Sequence, residues 1–402
     1  MHKLETKREI SQLSLLFAIT YMISYMTRTN FGAIVSEISE STGFTKSMLA
    51  LPLTGSFITY GIGQLISGAL GDKISPKRLV SIGLGVTVCM NALIPLCGST
   101  WTMLAVWSVN GFAQALLWPP MTRMMSAMLT EDAYKNTVTT VTSGGYLGTI
   151  LIYLTAPLII YTVGWRGVFV TSAVLGIVML IVWHFTARDI PQNTNGNEKQ
   201  KGKTSVKGIL SPMMVWVFLA IIVMGMLREG VGSWIPSFIS ESFGLQNEIS
   251  ILSSVLLPVF TIISLRFANT LYRKWVTNPL VCAGVLFAGG AVFAYLLYLF
   301  SGSSAAGSIV CSAALTGCIN CVNLMLVGML PQYFEGRGCV STVSGMLNFF
   351  TYVGSALATY GIAALSETIG WSSTIFLWFL AALAGTVICL LCIKPWNKKF
   401  SR

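Results

Sequence analysis

The apolar residues of this chain neither alternate nor form narrow stripes; they run in long blocks. Blocks bounded by charge or by Gly, Pro and Asn turns fall at about 10–35, 48–71, 78–98, 101–129, 137–161, 167–187, 212–240, 249–271, 277–301, 305–333, 339–365 and 372–393. A helix of about 20 residues crosses the roughly 30 Å hydrocarbon layer of a bilayer. The pattern therefore predicts an all-α membrane protein of twelve transmembrane helices. Connections are short except from Arg188 to Ser211, a polar, basic stretch that reads as a solvated cytoplasmic linker. It divides the chain into an N-terminal six-helix bundle over 1–187 and a C-terminal one over 212–402.

Composition agrees with the blocks. The chain is 54% hydrophobic and 10% charged, with a mean hydropathy of +0.73, outside the range of soluble domains. The polar start, "MHKLETKREISQ", leads into an apolar run too long for a signal-peptide core, so this segment is expected to be retained. The cysteines suggest no disulfide framework, and Cys318-x-x-Cys321 lies inside an apolar run, where it reads as small-residue helix packing.

The net charge of +11 is mostly a topology signal. If the spans alternate in direction, Lys3, Lys7, Arg8, Lys73, Lys77, Arg78, Lys135, the basic residues of the linker, Arg273, Lys274, Arg337 and the C-terminal cluster share one face. Only Lys46 and Arg166 fall on the other. Both termini are therefore expected in the cytoplasm, with the chain in the cell (inner) membrane.

The two halves repeat. "MTRTNFG" at 26–32 aligns on "MLREGVG" at 226–232, matching Met, Arg and Gly at an offset of 200 residues. "YLG" at 146 and "GW" at 164 match "YVG" at 352 and "GW" at 370, both at an offset of 206. Pseudo-symmetric six-helix halves are the signature of a secondary transporter with its site at the midplane between them. Arg28 and Arg228 begin from equivalent points of the first and seventh spans, so a pseudo-two-fold axis is expected to set them on opposite walls of one cavity. An arginine at a helix centre costs about 2.5–3.5 kcal/mol on insertion scales, so it persists facing a cavity or a partner. Two converging guanidiniums suit a phosphate or a carboxylate. The alternative is structural, with each arginine bonded to backbone carbonyls or to an acid; Glu229 projects about 100° away from Arg228 around the helix.

Other candidates follow from position. Tyr21 and Tyr25 share the helix face of Arg28, and Gln64, Tyr146, Asn348 and Tyr352 occupy spans expected around the cavity. Trp118-Pro119-Pro120 is expected to bend the fourth span, with Arg123 beyond it as a possible gate partner of Asp72. The G-x-x-x-G of "SGGYLG" reads as packing within a monomer rather than a dimer contact.

Between the second and third spans stands "GALGDKISPKRL", with Gly68, Asp72, Lys73, Lys77 and Arg78. It resembles the G-x-x-x-D-R/K-x-G-R/K-R/K loop of the major facilitator superfamily; the corresponding "LRFANTLYRKW" of the second half has Asn269 where the acid would stand. "SYMTRTNF", "NGFAQALLWPPMTRMM", "GWRGVF", "MLREGVGSWIPSFI" and "STVSGMLNFFTYVGSALA" together resemble the organophosphate:phosphate antiporter branch, which includes glycerol-3-phosphate and hexose-phosphate transporters. The resemblance implies phosphoryl binding by the matching arginines, Arg28 and Arg228, and alternating access around them. Three departures stand out. Thr29 stands where the branch often has lysine, Gln64 where it has lysine, and Gly145 where it has histidine. The site thus carries less positive charge, which favours a monoanion, a carboxylate or a bulkier solute over a small dianionic ester.

The expected function is exchange of a small organic anion, a phosphorylated metabolite or a carboxylate, for phosphate or another anion. Two alternatives remain: a transporter-like receptor sensing a sugar phosphate, and a proton-coupled symporter of a non-phosphorylated solute, for which Glu229 is the candidate coupling group. No catalytic constellation, phosphate loop or metal-ligand spacing appears in the sequence, so an enzyme, a cofactor and a metal are not expected. The expected partners are the anionic solute and the lipid bilayer, not nucleic acid.

Overall fold

The structure, a computed structural model, describes residues 3–190, 211–244 and 247–400. Among these residues the chain is helical, with no strand. The helices are α1 (Lys7–Ala33), α2 (Val35–Thr42), α3 (Lys46–Gly71), α4 (Pro76–Leu93), α5 (Thr100–Ala115), α6 (Trp118–Met128), α7 (Glu131–Val163), α8 (Trp165–Thr186), α9 (Pro212–Phe243), α10 (Asn247–Lys274), α11 (Pro279–Phe300), α12 (Ala305–Asn323) and α13 (Val340–Phe400). Among the described residues nine helical stretches are long and apolar enough to cross a membrane. The remaining predicted spans also have helices. The fourth is α5 with α6, the eighth is α10, and the eleventh is the first part of α13, which bends at Gly370 before the twelfth. This is the twelve-span architecture expected of the sequence. Residues 191–210 of the predicted linker lie outside the described residues.

The chain forms two compact units, one of Met1–Gly202 with Phe334–Phe349 and the other of Lys203–Tyr333 with Phe350–Arg402. The start of α13 thus packs with the first unit, whereas the sequence division assigns it to the second half.

Local chemistry explains where the helices begin, and it repeats. Ser75 caps α4 by accepting from the Arg78 N–H ahead of Pro76. Asn278 caps α11 by accepting from the Leu280 and Val281 N–H groups ahead of Pro279. Ser99 caps α5 and Ser304 caps α12 in the same way. Each side chain satisfies amide groups that the first helical turn leaves without an internal partner, and proline at the first position gives up no needed donor. The two "GW" junctions match as well. Gly164 has φ 76° and ψ 175°, and Gly370 has φ 77° and ψ 168°, a conformation essentially reserved for glycine.

Packing repeats too. A Cβ on Gly148 would run into the Met22 carbonyl, and one on Gly354 into the Ile222 carbonyl. Met22 and Ile222 are 200 apart and Gly148 and Gly354 are 206 apart, the two offsets of the sequence repeat. In each unit a bare glycine therefore lets the fifth or eleventh span press onto the first or seventh. The first unit also holds an aromatic core in which the Phe31 ring lies 5.2 Å from Trp107 and 5.8 Å from Phe169. The second stacks Phe218 on Phe350 at 4.4 Å. Outward faces remain apolar, as with Leu158, Tyr161, Phe185 and Leu391, which suits contact with lipid.

The predicted bend of the fourth span is a full break at Leu116–Leu117, immediately before Trp118-Pro119-Pro120. The tenth span has its own irregularity, a buried π-helical stretch over Leu324–Met329 followed by a 3₁₀ turn over Leu330–Arg337.

Candidate functional site

Arg28 lies half-buried on α1. Its guanidinium sits over two aromatic faces, 4.3 Å from the Tyr25 ring centre and 4.7 Å from that of Tyr60 on α3. Tyr25 in turn packs edge-on to Tyr21 at 4.9 Å, and Tyr21 lies 4.9 Å from Trp118 at the start of α6. Two ring faces supply negative potential to the cation. They hold its plane by stacking while leaving the donor edges directed within it. Gly145 is part of the same packing, because a Cβ there would come within 3.0 Å of Tyr25 and 3.1 Å of Tyr21. Tyrosine rings thus press against the position where the resembling branch carries histidine. Thr29, at another departure, turns its hydroxyl back to the Tyr25 carbonyl at 2.8 Å.

The second unit repeats the motif in simpler form. Arg228 lies half-buried on α9, 5.6 Å from the centre of the Tyr352 ring. Tyr352 is the repeat counterpart of Tyr146, which is half-buried on α7. Glu229 is half-buried beside Arg228.

The remaining candidates divide. Gln64 lies one turn beyond Tyr60, is fully buried, and has neither end of its amide hydrogen-bonded among the described residues. Its main-chain carbonyl faces Gly345, where a Cβ would collide with it. Asn348, half-buried in the first unit, donates to the Ser344 carbonyl of its own helix at 3.1 Å.

At the end of α3 the glycine-acid loop makes a specific contact. A Cβ on Gly68 would lie 2.8 Å from the Ser341 carbonyl and 3.1 Å from the Gly345 Cα, so only glycine permits this approach. Asp72 accepts from the Ser341 N–H at 3.0 Å and the Thr342 N–H at 2.7 Å, and so caps the start of α13. Burial raises the Asp72 carboxyl above its ordinary value, opposed by the hydrogen bonds from Thr342 and Ser341 and by the Arg123 charge. The expected Asp72–Arg123 pair is not a direct one: Arg123 donates instead to the carbonyls of Gly71 and Ile74. The carboxylate is already committed to the helix start, and the guanidinium binds the turn that presents it. Lys77 donates to the His184 carbonyl at 2.7 Å, closing the end of α8, while Lys73 and Arg78 are exposed.

Tyr60 joins the site although its sequence signal is only its place as the first residue of "YGIGQ", one turn before Gln64. Asn91, Asn110 and Gln114 signal themselves only as polar side chains in the third and fourth spans.

A sequence model described as Major Facilitator Superfamily matches residues 17–359. The chain belongs to that superfamily. The superfamily assignment makes it a multi-pass membrane transport protein and not an enzyme. It is 24% identical to the "Probable hexose phosphate transport protein" of Chlamydia pneumoniae, across 94% of this chain and 89% of that one. It is 25% identical to the "Glycerol-3-phosphate transporter" of Bacillus subtilis (strain 168), across 94% and 90% respectively. It is also 23% identical to the "Membrane sensor protein UhpC" of Salmonella typhimurium, across 92% and 88%. The fold matches that of the proton:xylose symporter XylE bound to 6-bromo-6-deoxy-D-glucose, with a TM-score of 0.79 at 12% identity over 99% of this chain and 97% of that one. These similarities agree with the organophosphate:phosphate antiporter branch that the motifs resemble.

Proposed function

We propose that this superfamily member is a secondary active transporter of a small organic anion, a phosphorylated metabolite or a carboxylate. It works by alternating access across the cytoplasmic membrane, with both termini in the cytoplasm, in exchange for phosphate or another anion. The carrying observation is that each repeat places one arginine at the same point of a membrane helix and stacks it on tyrosine. Arg28 and Arg228 bind the anionic group in this reading, with Tyr25, Gln64, Tyr146, Asn348 and Tyr352 as further substrate contacts. Names of full-length relatives that transport hexose phosphate or glycerol 3-phosphate support the substrate class. Thr29, Gln64 and Gly145 weaken the positive field, which favours a less highly charged anion than a dianionic ester.

The test is counterflow in proteoliposomes loaded with inorganic phosphate, challenged from outside with phosphate, sugar phosphates, glycerol 3-phosphate and organic acids. Exchange is expected in the unaltered protein. Arg28→Ala and Arg228→Ala are each expected to cost about 30-fold or more in kcat/KM, since truncating one side of a desolvated charge contact costs about 2–5 kcal/mol. Full activity in both variants would overturn the assignment of the arginines.

The similarity to a membrane sensor, at nearly the same identity as to the transporters, favours one second reading. A receptor would be stabilised by its ligand in a thermal-shift assay and show negligible counterflow. Coupled proton uptake, with Glu229 as the coupling residue, would instead appear as acidification inside the vesicles.

A further inference from the structure

We propose that Asn91 is a positioning residue for Arg28, acting as a polar clip that fixes how α1 is rotated about its own axis. This rests on the reading that Arg28 binds the anionic group of the substrate.

The turn of α1 that carries Arg28 is gripped from behind by buried polar side chains of three other helices, amides from α4 and α5 and a hydroxyl from α8. Asn91, on α4, accepts from Asn30 Nδ2 at 2.7 Å and donates to the Thr27 carbonyl at 3.1 Å. It thus holds α1 on both sides of position 28 with one planar group, and its remaining N–H steadies it on the Thr87 carbonyl of its own helix at 3.0 Å. Asn30 Nδ2 also reaches Ser172 Oγ on α8 at 3.1 Å. From α5, Gln114 Nε2 donates to Thr27 Oγ1 at 2.9 Å and Asn110 Nδ2 to the Thr27 carbonyl at 3.4 Å. Thr27, Asn30, Asn91, Asn110, Gln114 and Ser172 are all essentially inaccessible.

Helical geometry explains the effect on Arg28. At about 100° per residue, positions 27 and 30 lie about 60° apart on one face, and position 28 points about 130° away from their midline. The clip therefore grips the side of α1 opposite the guanidinium. Rotating the helix breaks these bonds and swings Arg28, together with Tyr25 of the same helix, off the face of Tyr60 on α3. Leucine packing cannot define this rotation as sharply, because apolar contacts are non-directional and a hydrogen bond weakens steeply with angle. Asn110 Oδ1 and Thr87 Oγ1 are buried with no hydrogen-bond partner among the described residues, so the network is not tuned for greatest stability.

The experiment is inorganic phosphate self-exchange in proteoliposomes by the full chain, with Asn91→Leu in unaltered and Arg28→Lys backgrounds and thermal unfolding measured in parallel. The expected result is a KM for phosphate raised tenfold or more with kcat changed less than threefold. In the Arg28→Lys background, where the oriented fork is already lost, the same substitution should change KM less than threefold. Gln114→Met, which removes only the bond to Thr27 Oγ1, should show the same pattern with a smaller rise, and it carries the test if Asn91→Leu does not insert. Lowered thermal stability with an unchanged KM, or an equal KM effect in both backgrounds, would overturn the clip while leaving the anion site standing. An Arg28→Ala variant with normal phosphate exchange would instead sink the site reading and the clip with it.

Discussion

Arg28 is a charge that lipid alone would reject, and the rings around it show how the chain keeps it. A cation over an aromatic face gains about 0.5–2 kcal/mol depending on desolvation, and Arg28 lies within reach of two such faces. The ring, not the phenol hydroxyl, supplies this term. Tyr60→Phe should therefore leave the KM for the transported anion within about twofold, whereas Tyr60→Ala should raise it about 2- to 30-fold; initial rates of exchange distinguish the two. Thr29 offers a second check. Its side chain is occupied with the Tyr25 carbonyl, so Thr29→Lys adds a cation next to Arg28 without removing a known ligand contact. The expected outcome is a preference shifted toward dianionic phosphate esters over carboxylates, measured as the ratio of kcat/KM for the two classes.

At the scale of elements, the internal repeat is carried by backbone approach as much as by recognisable side chains. Gly148 and Gly354 sit against main-chain carbonyls of the first and seventh spans, contacts that no side-chain rearrangement relieves. Forcing a methyl group into such a packed interface costs typically 1–3 kcal/mol. Gly148→Ala and Gly354→Ala should each lower stability by about that amount in a thermal unfolding assay in detergent. Gly32→Ala is the contrast. Its added Cβ would meet only Leu53 Cδ2 at 3.9 Å, an ordinary contact, and alanine is the better helix former by about 1 kcal/mol, so stability should be unchanged or raised.

For the whole molecule, the contact to watch is that of Asp72 with the first turn of α13. It joins the loop after the second span to the start of the eleventh through two hydrogen bonds from backbone amides, beside a glycine-to-glycine approach of Gly68 and Gly345. Under the alternating access proposed above, separation of these helices would break the cap, which then favours the conformation that holds them together. Losing a capping carboxylate costs about 0.5–2 kcal/mol. Asp72→Ala should therefore shift the conformational populations about 2- to 30-fold away from the capped state, as read by spin-label distances between the ends of α3 and α13. An unchanged distance distribution would show that the cap does not bias the cycle.

The sequence by itself determined the class of molecule. Block hydrophobicity fixes twelve spans because a bilayer sets the length of a helix. Motifs at constant offsets expose the repeat, and an arginine inside each of two equivalent spans marks the places where a charge must have a purpose. Caps such as Ser75-Pro76 and Asn278-Pro279 are equally local, since the side chain and the amide groups it satisfies lie within one turn. Only the tertiary structure decided which ring faces Arg28 from another helix, that Asp72 serves backbone amides of residues 341 and 342 rather than Arg123, and that polar side chains of three other helices meet behind Thr27 and Asn30. These partners lie from 32 to 270 residues away in sequence, and hydrogen bonds and ring contacts depend on ångström-scale distance and direction. Periodicity can place a residue on a helix face, but which neighbour that face meets is settled when the helices pack.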